Sequence, residues 1–142
     1  MKRTNFYVTA SFAALLCVAA LGIGAAVDTP RTLMSKGDYT TGRNAIQSET
    51  RAALSRCRDQ EGAAKDLCKA QARAEERVKL ADLQARYHGT VLAAEDARTA
   101  RAQASYDVAK ARCGELKGDN RLGCLRTARE DKGKSLARLA ST

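Results

Sequence analysis

The five cysteines are the residues of this sequence whose chemistry depends most on their spacing. Cys57 and Cys68 are eleven positions apart, Cys113 and Cys124 repeat that spacing, and Cys17 stands alone near the N-terminus. Zinc sites usually have two to four residues between paired cysteines, and redox sites have a Cys-x-x-Cys motif. Neither pattern is present, so the spacing favours disulfide bonds over metal binding or redox catalysis.

The other side chains that could take part in catalysis have no partner at a useful spacing. His88 is the single histidine, and it precedes a glycine, where the C-terminus of a helix favours its charge. The adjacent carboxylates Glu75-Glu76 and Glu95-Asp96 diverge by about 100° on a helix and do not face each other. We therefore predict no catalytic residues, no cofactor and no metal, and a protein that is not an enzyme.

The N-terminus has the layout of an export signal. Lys2 and Arg3 precede a long uncharged segment, in which small residues follow the apolar run up to Ala26. We therefore predict a secretory signal peptide at residues 1–26. Its cleavage removes Cys17 and, because both basic residues leave with it, lowers the formal charge from +9 to +7. The alternative is an uncleaved inner-membrane anchor at residues 4–27, which is long enough to span a bilayer.

Composition beyond the signal indicates long helices with thin contacts. From residue 27 onward, Val, Ile, Leu and Phe make up 16 of 116 residues, which is below the roughly 20% that a well-formed core usually has. Ala, Glu, Lys, Leu and Arg make up 62 of those residues, a proportion typical of coiled coils and long helices. The predicted helix contacts are Tyr39, Ile46, Ala53, Leu80, Leu83, Tyr87, Ala102, Tyr106 and Ala109.

Capping residues and glycines divide this region into four helices. Residues 27–37 are predicted to be a linker, and Ser35 and Asp38 form a capping box at the start of a helix over 38–59. The second helix is expected to start between residues 63 and 66 and to end at His88. The third helix is expected over 90–116. Asp119 or Asn120 is expected to cap the fourth helix, which ends near residue 140.

An internal repeat organises these helices into two units. A shift of 56 residues places Cys57 on Cys113 and Cys68 on Cys124, and it also places Gly62 on Gly118. The pattern predicts a duplicated helical hairpin, with one copy over 38–89 and the other over 90–142.

The cysteine spacing sets a geometric condition on each hairpin. Eleven residues of unbroken helix span about 16 Å, whereas the Cα atoms of a disulfide lie within about 7 Å. Each pair can therefore bond only if the chain turns back at Gly62 and at Gly118. The alternative is an unbroken helix, whose cysteines would lie on one face and form intermolecular disulfides in a coiled coil. That alternative gives the glycines no role. The predicted fold is all-α, with two disulfide-stapled helical hairpins in an extended or loosely packed bundle.

Several motifs of the sequence resemble a known family. They are Met34-Ser35-Lys36-x-Asp38-Tyr39, Gly62-x-x-Lys65-Asp66-x-Cys68-Lys69-Ala70, Ala81-x-Leu83-x-Ala85-x-Tyr87, Tyr106-Asp107-Val108-Ala109-Lys110-Ala111-x-Cys113 and Leu116-x-Gly118-x-Asn120. The family consists of small exported, alanine- and charge-rich proteins of Gram-negative bacteria, some of them labelled cell-envelope biogenesis proteins similar to TolA. The second unit departs from the family pattern at Arg121-Leu122-Gly123, where Lys-Asp-x is usual. The resemblance implies a periplasmic or envelope location and no catalytic residues.

Charge and export together narrow the function classes. Basic residues are scattered among acidic ones over every predicted helix, whereas a nucleic-acid-binding protein usually has a clustered basic face. A spread cationic surface in the envelope would contact envelope proteins, anionic envelope polymers or lipid headgroups. We therefore expect no nucleic-acid partner and a structural or interaction role in the periplasm. The alternative is a periplasmic stress or chaperone-like binding protein.

Overall fold

The computed structural model describes residues 33–141, which are all-α and contain four long helices. These are α1 (Lys36–Arg56), α2 (Gly62–His88), α3 (Val91–Arg112) and α4 (Gly118–Ala140). Short 3-10 turns at Cys57–Asp59 and Cys113–Glu115 follow α1 and α3. The predicted four-helix, all-α fold is confirmed. The predicted signal peptide or anchor, Cys17 and residues 27–32 of the predicted linker lie outside the described residues.

The helix starts confirm one predicted cap and correct another. The Ser35 hydroxyl accepts a hydrogen bond from the Asp38 amide at 3.1 Å and donates one to the Asp38 carboxylate at 2.7 Å. As a result, α1 begins at Lys36, two residues before the predicted start. The prediction that Asp119 or Asn120 caps α4 was wrong. α4 begins at Gly118, directly after the turn, so Lys117 is the N-cap residue. The Lys117 side chain makes no capping hydrogen bond.

The two disulfides pair the cysteines as predicted and close both hairpin turns. The Cα atoms of Cys57 and Cys68 lie 5.6 Å apart, and those of Cys113 and Cys124 lie 5.7 Å apart. Gly62 and Gly118 adopt φ values of 53° and 54°. This left-handed conformation strains any residue with a Cβ atom. Open space surrounds both positions, so the backbone conformation alone requires glycine in each turn.

The helices pack in chain order. α1 contacts α2, α2 shares its largest interface with α3, and α3 contacts α4. Within residues 33–141, the backbones of α1 and α4 make no contact with each other. The two hairpins therefore pack together through α2 and α3, and each outer helix is held by a single neighbour.

Alanine fills most of the buried core. Leu83 is 3% exposed, and a Cβ atom placed on Gly42 would lie 3.0 Å from its Cδ1 atom, so a glycine at this point lets α1 approach Leu83 closely. Tyr39 stacks on Tyr87 of the opposite helix with ring centroids 4.5 Å apart. Among residues 33–141, seven of the eleven buried apolar residues are alanines, namely Ala72, Ala74, Ala93, Ala97, Ala102, Ala104 and Ala128. Because alanine buries little area, the few larger side chains carry much of the stabilisation.

The substitution Leu83→Ala tests how much of the stability depends on this side chain. We expect it to lower the free energy of unfolding by about 2–5 kcal/mol, because a buried leucine is lost and a cavity remains. Leu92→Ala is the matched control, since Leu92 is 68% exposed, and it should change stability by about 0.5 kcal/mol or less. Urea denaturation followed by circular dichroism measures both. Equal losses in the two variants would contradict the packing described here.

Candidate functional site

A groove along the three-helix face of α1, α2 and α3 is the largest concave feature described, with a volume of about 680 Å³. We call it the central groove. Ile46 and Ala97 lie buried beneath it, and Ala85 and Ala94 are half-buried along it. Its charged lining residues are Glu49, Lys79, Asp82, Arg86, Arg98 and Arg101. The groove therefore combines small apolar side chains with charged ones.

Ion pairs join each side of the central groove. Lys79 of α2 contacts the Glu49 carboxylate of α1 at 2.7 Å. On the other side, Arg101 of α3 contacts Asp82 of α2 at 2.5 Å. Both pairs are exposed to solvent, so each contributes little to stability. The two pairs show which residues face each other across neighbouring helices.

Lys79 is the titratable group that these ion pairs affect most. Hydrogen bonds to Glu49 and to Glu75, the latter one turn away in the same helix, raise its pKa from the usual 10.5 to about 12. A raised pKa in the folded state means that the stabilisation is complete below pH 10.5 and is lost as the pH rises through 12. Lys79 is therefore fully charged at neutral pH and is paired with these two carboxylates.

Arg86 and Arg98 are two positively charged residues of the groove whose side chains have no such partner. Within residues 33–141, neither side chain makes an ion pair or a hydrogen bond. Arg86 lies one turn beyond Asp82 on α2, and Arg98 lies one turn before Arg101 on α3. In the antiparallel register of the Asp82–Arg101 pair, they occupy the next position along both helices. Two positive residues therefore line the same groove at this position.

Two further depressions are smaller. One of about 300 Å³ lies between α1 and α2 and includes the carboxylates of Glu75 and Glu76. The other, of about 560 Å³, lies at the disulfide end between α2, α3 and α4 and includes Asp66, Lys110 and Arg121. Both are lined by charges of mixed sign, so neither concentrates one charge.

The residues singled out from the sequence are divided between structural roles and solvent. The disulfide sulfurs pack inside the turns, where Cys57 and Cys113 are 1% and 0% exposed. His88 is the last residue of α2 and lies edge-on to the Tyr87 ring. Glu95 and Asp96 point to solvent. In the part of the chain that the structure describes, no group of three or more His, Cys, Asp or Glu residues is placed to hold a metal ion.

The central groove is not predicted from the sequence. In the sequence, its arginines are part of a scattered surface charge, because no local pattern specifies how α2 and α3 align. The signal that could have found the pair is the i, i+4 spacing of Asp82 and Arg86 combined with the i, i+3 spacing of Arg98 and Arg101. Reading that signal requires the register of the two helices.

Compared with protein families, curated proteins and solved structures, the chain matches none. The two disulfides indicate that the chain folds in an oxidising compartment. Among the described helices, none combines the length and the hydropathy that crossing a membrane requires. The likeness to the exported family therefore rests on the motifs quoted above.

The substitution Arg98→Glu tests the facing position of Arg86 and Arg98. We expect it to raise the free energy of unfolding by about 0.5 kcal/mol, because an attraction replaces a repulsion across the helices. Arg51→Glu, on the exposed surface of α1, changes the net charge equally and should leave stability unchanged. Thermal unfolding should show the gain at low salt and lose most of it at 0.5 M salt. A loss of stability in Arg98→Glu would contradict this geometry.

Proposed function

We propose that this protein is a non-enzymatic helical protein of the periplasm or cell envelope, whose role is to interact with anionic envelope components. The observation that carries the proposal is the charged lining of the central groove. Its cations outnumber its carboxylates, and the two that have no partner, Arg86 and Arg98, face the open groove. An unpaired cation pair on a concave surface attracts an anionic partner by direct charge complementarity.

The disulfides and the exported-family motifs support the compartment. Disulfides form and persist in oxidising environments such as the bacterial periplasm. The quoted motifs resemble those of small exported proteins of Gram-negative bacteria. The basic N-terminal residues Lys2 and Arg3 with the uncharged segment behind them fit export through a signal peptide.

The alternative is a periplasmic stress or chaperone-like binding protein. Such a protein needs an exposed apolar surface to hold unfolded clients. The observation in its favour is the group of exposed apolar residues near the α2–α3 turn, where Leu33, Val91 and Leu92 are 61%, 73% and 68% exposed. Against it, the central groove has Ile46 as its only large apolar side chain, and that residue is 9% exposed.

Photo-crosslinking in intact cells tests the interaction role. A photoreactive residue at Ala94, inside the central groove, should give discrete adducts with envelope components. The same residue at Arg126, on the exposed face of α4, is the matched control and should give none. Identical adducts from both positions, or none from either, would contradict an interaction through the groove. The purified protein should also leave aggregation of a denatured client unchanged at equimolar ratio, and suppression of it would support the chaperone-like alternative.

A further inference from the structure

Charged residues occur at successive turns along the interface between α2 and α3, and their net charge changes from neutral to positive toward the α2–α3 turn. Near the disulfide end, Arg77 of α2 pairs with Asp107 of α3. The next step toward the α2–α3 turn is the Asp82–Arg101 pair at 2.5 Å. One further turn along both helices lie Arg86 and Arg98, which both line the central groove. The first two steps are neutralised within the protein, whereas the third holds two positive charges.

This third step has the features of an anion site. Both arginines line one groove, and both residues are exposed and therefore accessible. No carboxylate within residues 33–141 pairs with either one. Guanidinium groups bind phosphate with paired, charge-assisted hydrogen bonds, and two of them facing each other can hold one phosphate from both sides. A bound dianion would also relieve the repulsion between the two arginines.

The surroundings of the arginine pair favour a phosphate that carries an apolar chain. Ala85 and Ala94 border the groove, and their small side chains leave it open above buried Ile46. Val91 is seven residues before Arg98, so it lies on the same face of α3, and it is 73% exposed. Val91 therefore adds exposed apolar surface between Arg98 and the α2–α3 turn. The groove volume of about 680 Å³ falls in the range of small-molecule sites.

We propose that the central groove binds an amphiphile with a phosphate headgroup and an alkyl chain. Arg86 and Arg98 hold the phosphate, and the alanine-lined groove and Val91 contact the first carbons of the chain. This proposal rests on the proposed envelope role and specifies the chemical class of the partner. Phosphate bound by charge alone would not use the apolar surface, so the contribution of the alkyl chain separates a lipid-like ligand from free phosphate.

Calorimetric titration of the full chain, recovered with both disulfides formed, tests the proposal with dodecyl phosphate below its micelle concentration. We expect saturable binding that weakens at least tenfold in the double variant Arg86→Gln/Arg98→Gln. The matched control Arg126→Gln/Arg129→Gln removes the same charge from α4 and should bind within twofold of the unmodified protein. Inorganic phosphate should bind at least tenfold more weakly than dodecyl phosphate, and dodecyl trimethylammonium should not bind.

Three results would overturn the proposal. They are equal affinity in both double variants, equal affinity for inorganic phosphate, and equal affinity for the cationic amphiphile. Amide chemical-shift changes in the unmodified protein provide a test that needs no variant. They should concentrate in residues 82–98, and a concentration in α4 would place the site elsewhere. Because these measurements use pure protein and ligand, they can fail while the cellular cross-links at Ala94 persist, which separates this proposal from the proposed function.

Discussion

The disulfide across each helical turn is the constraint on which the rest of the structure depends. It brings Cα atoms to 5.6 and 5.7 Å, although an unbroken helix would hold them about 16 Å apart. Closing a loop of this length stabilises the fold by about 3 kcal/mol in the chain-entropy model. That contribution is large for a core in which alanine predominates. Since α1 and α4 each contact a single neighbouring helix, the covalent bond at one end adds a constraint that this packing does not supply.

A thin alanine core also determines where function can reside. Small side chains let the helices approach closely, but they leave shallow grooves rather than an enclosed apolar cavity. The register of α2 against α3 then decides which charges meet across the grooves. Asp82 pairs with Arg101 and is neutralised, whereas Arg86 and Arg98 line the same groove and neither side chain has a partner within residues 33–141. The proposed interaction with anionic partners is thus a consequence of the register of α2 against α3, in which Arg77 pairs with Asp107 and Asp82 pairs with Arg101.

Much of the fold could be predicted from the sequence because the cysteine and glycine spacing within each repeat specifies where the chain must turn. The equal spacing of Cys57–Cys68 and Cys113–Cys124 around Gly62 and Gly118 admits few arrangements other than two closed hairpins. The start of α4 could not be predicted correctly, because Asp119 is a good capping residue in isolation and the turn position of Gly118 overrides that preference. The central groove could not be predicted either. It depends on how two hairpins pack together, and no local pattern specifies that alignment.

Amide hydrogen exchange of the oxidised and reduced protein, resolved helix by helix, tests most directly whether the disulfides hold the outer helices in place. Exchange reports the free energy of local opening. We expect reduction to speed exchange in α1 and α4 by at least tenfold, while α2 and α3 change less because they share the largest interface and two ion pairs. Unchanged exchange in all four helices, or an equal increase in all of them, would contradict it.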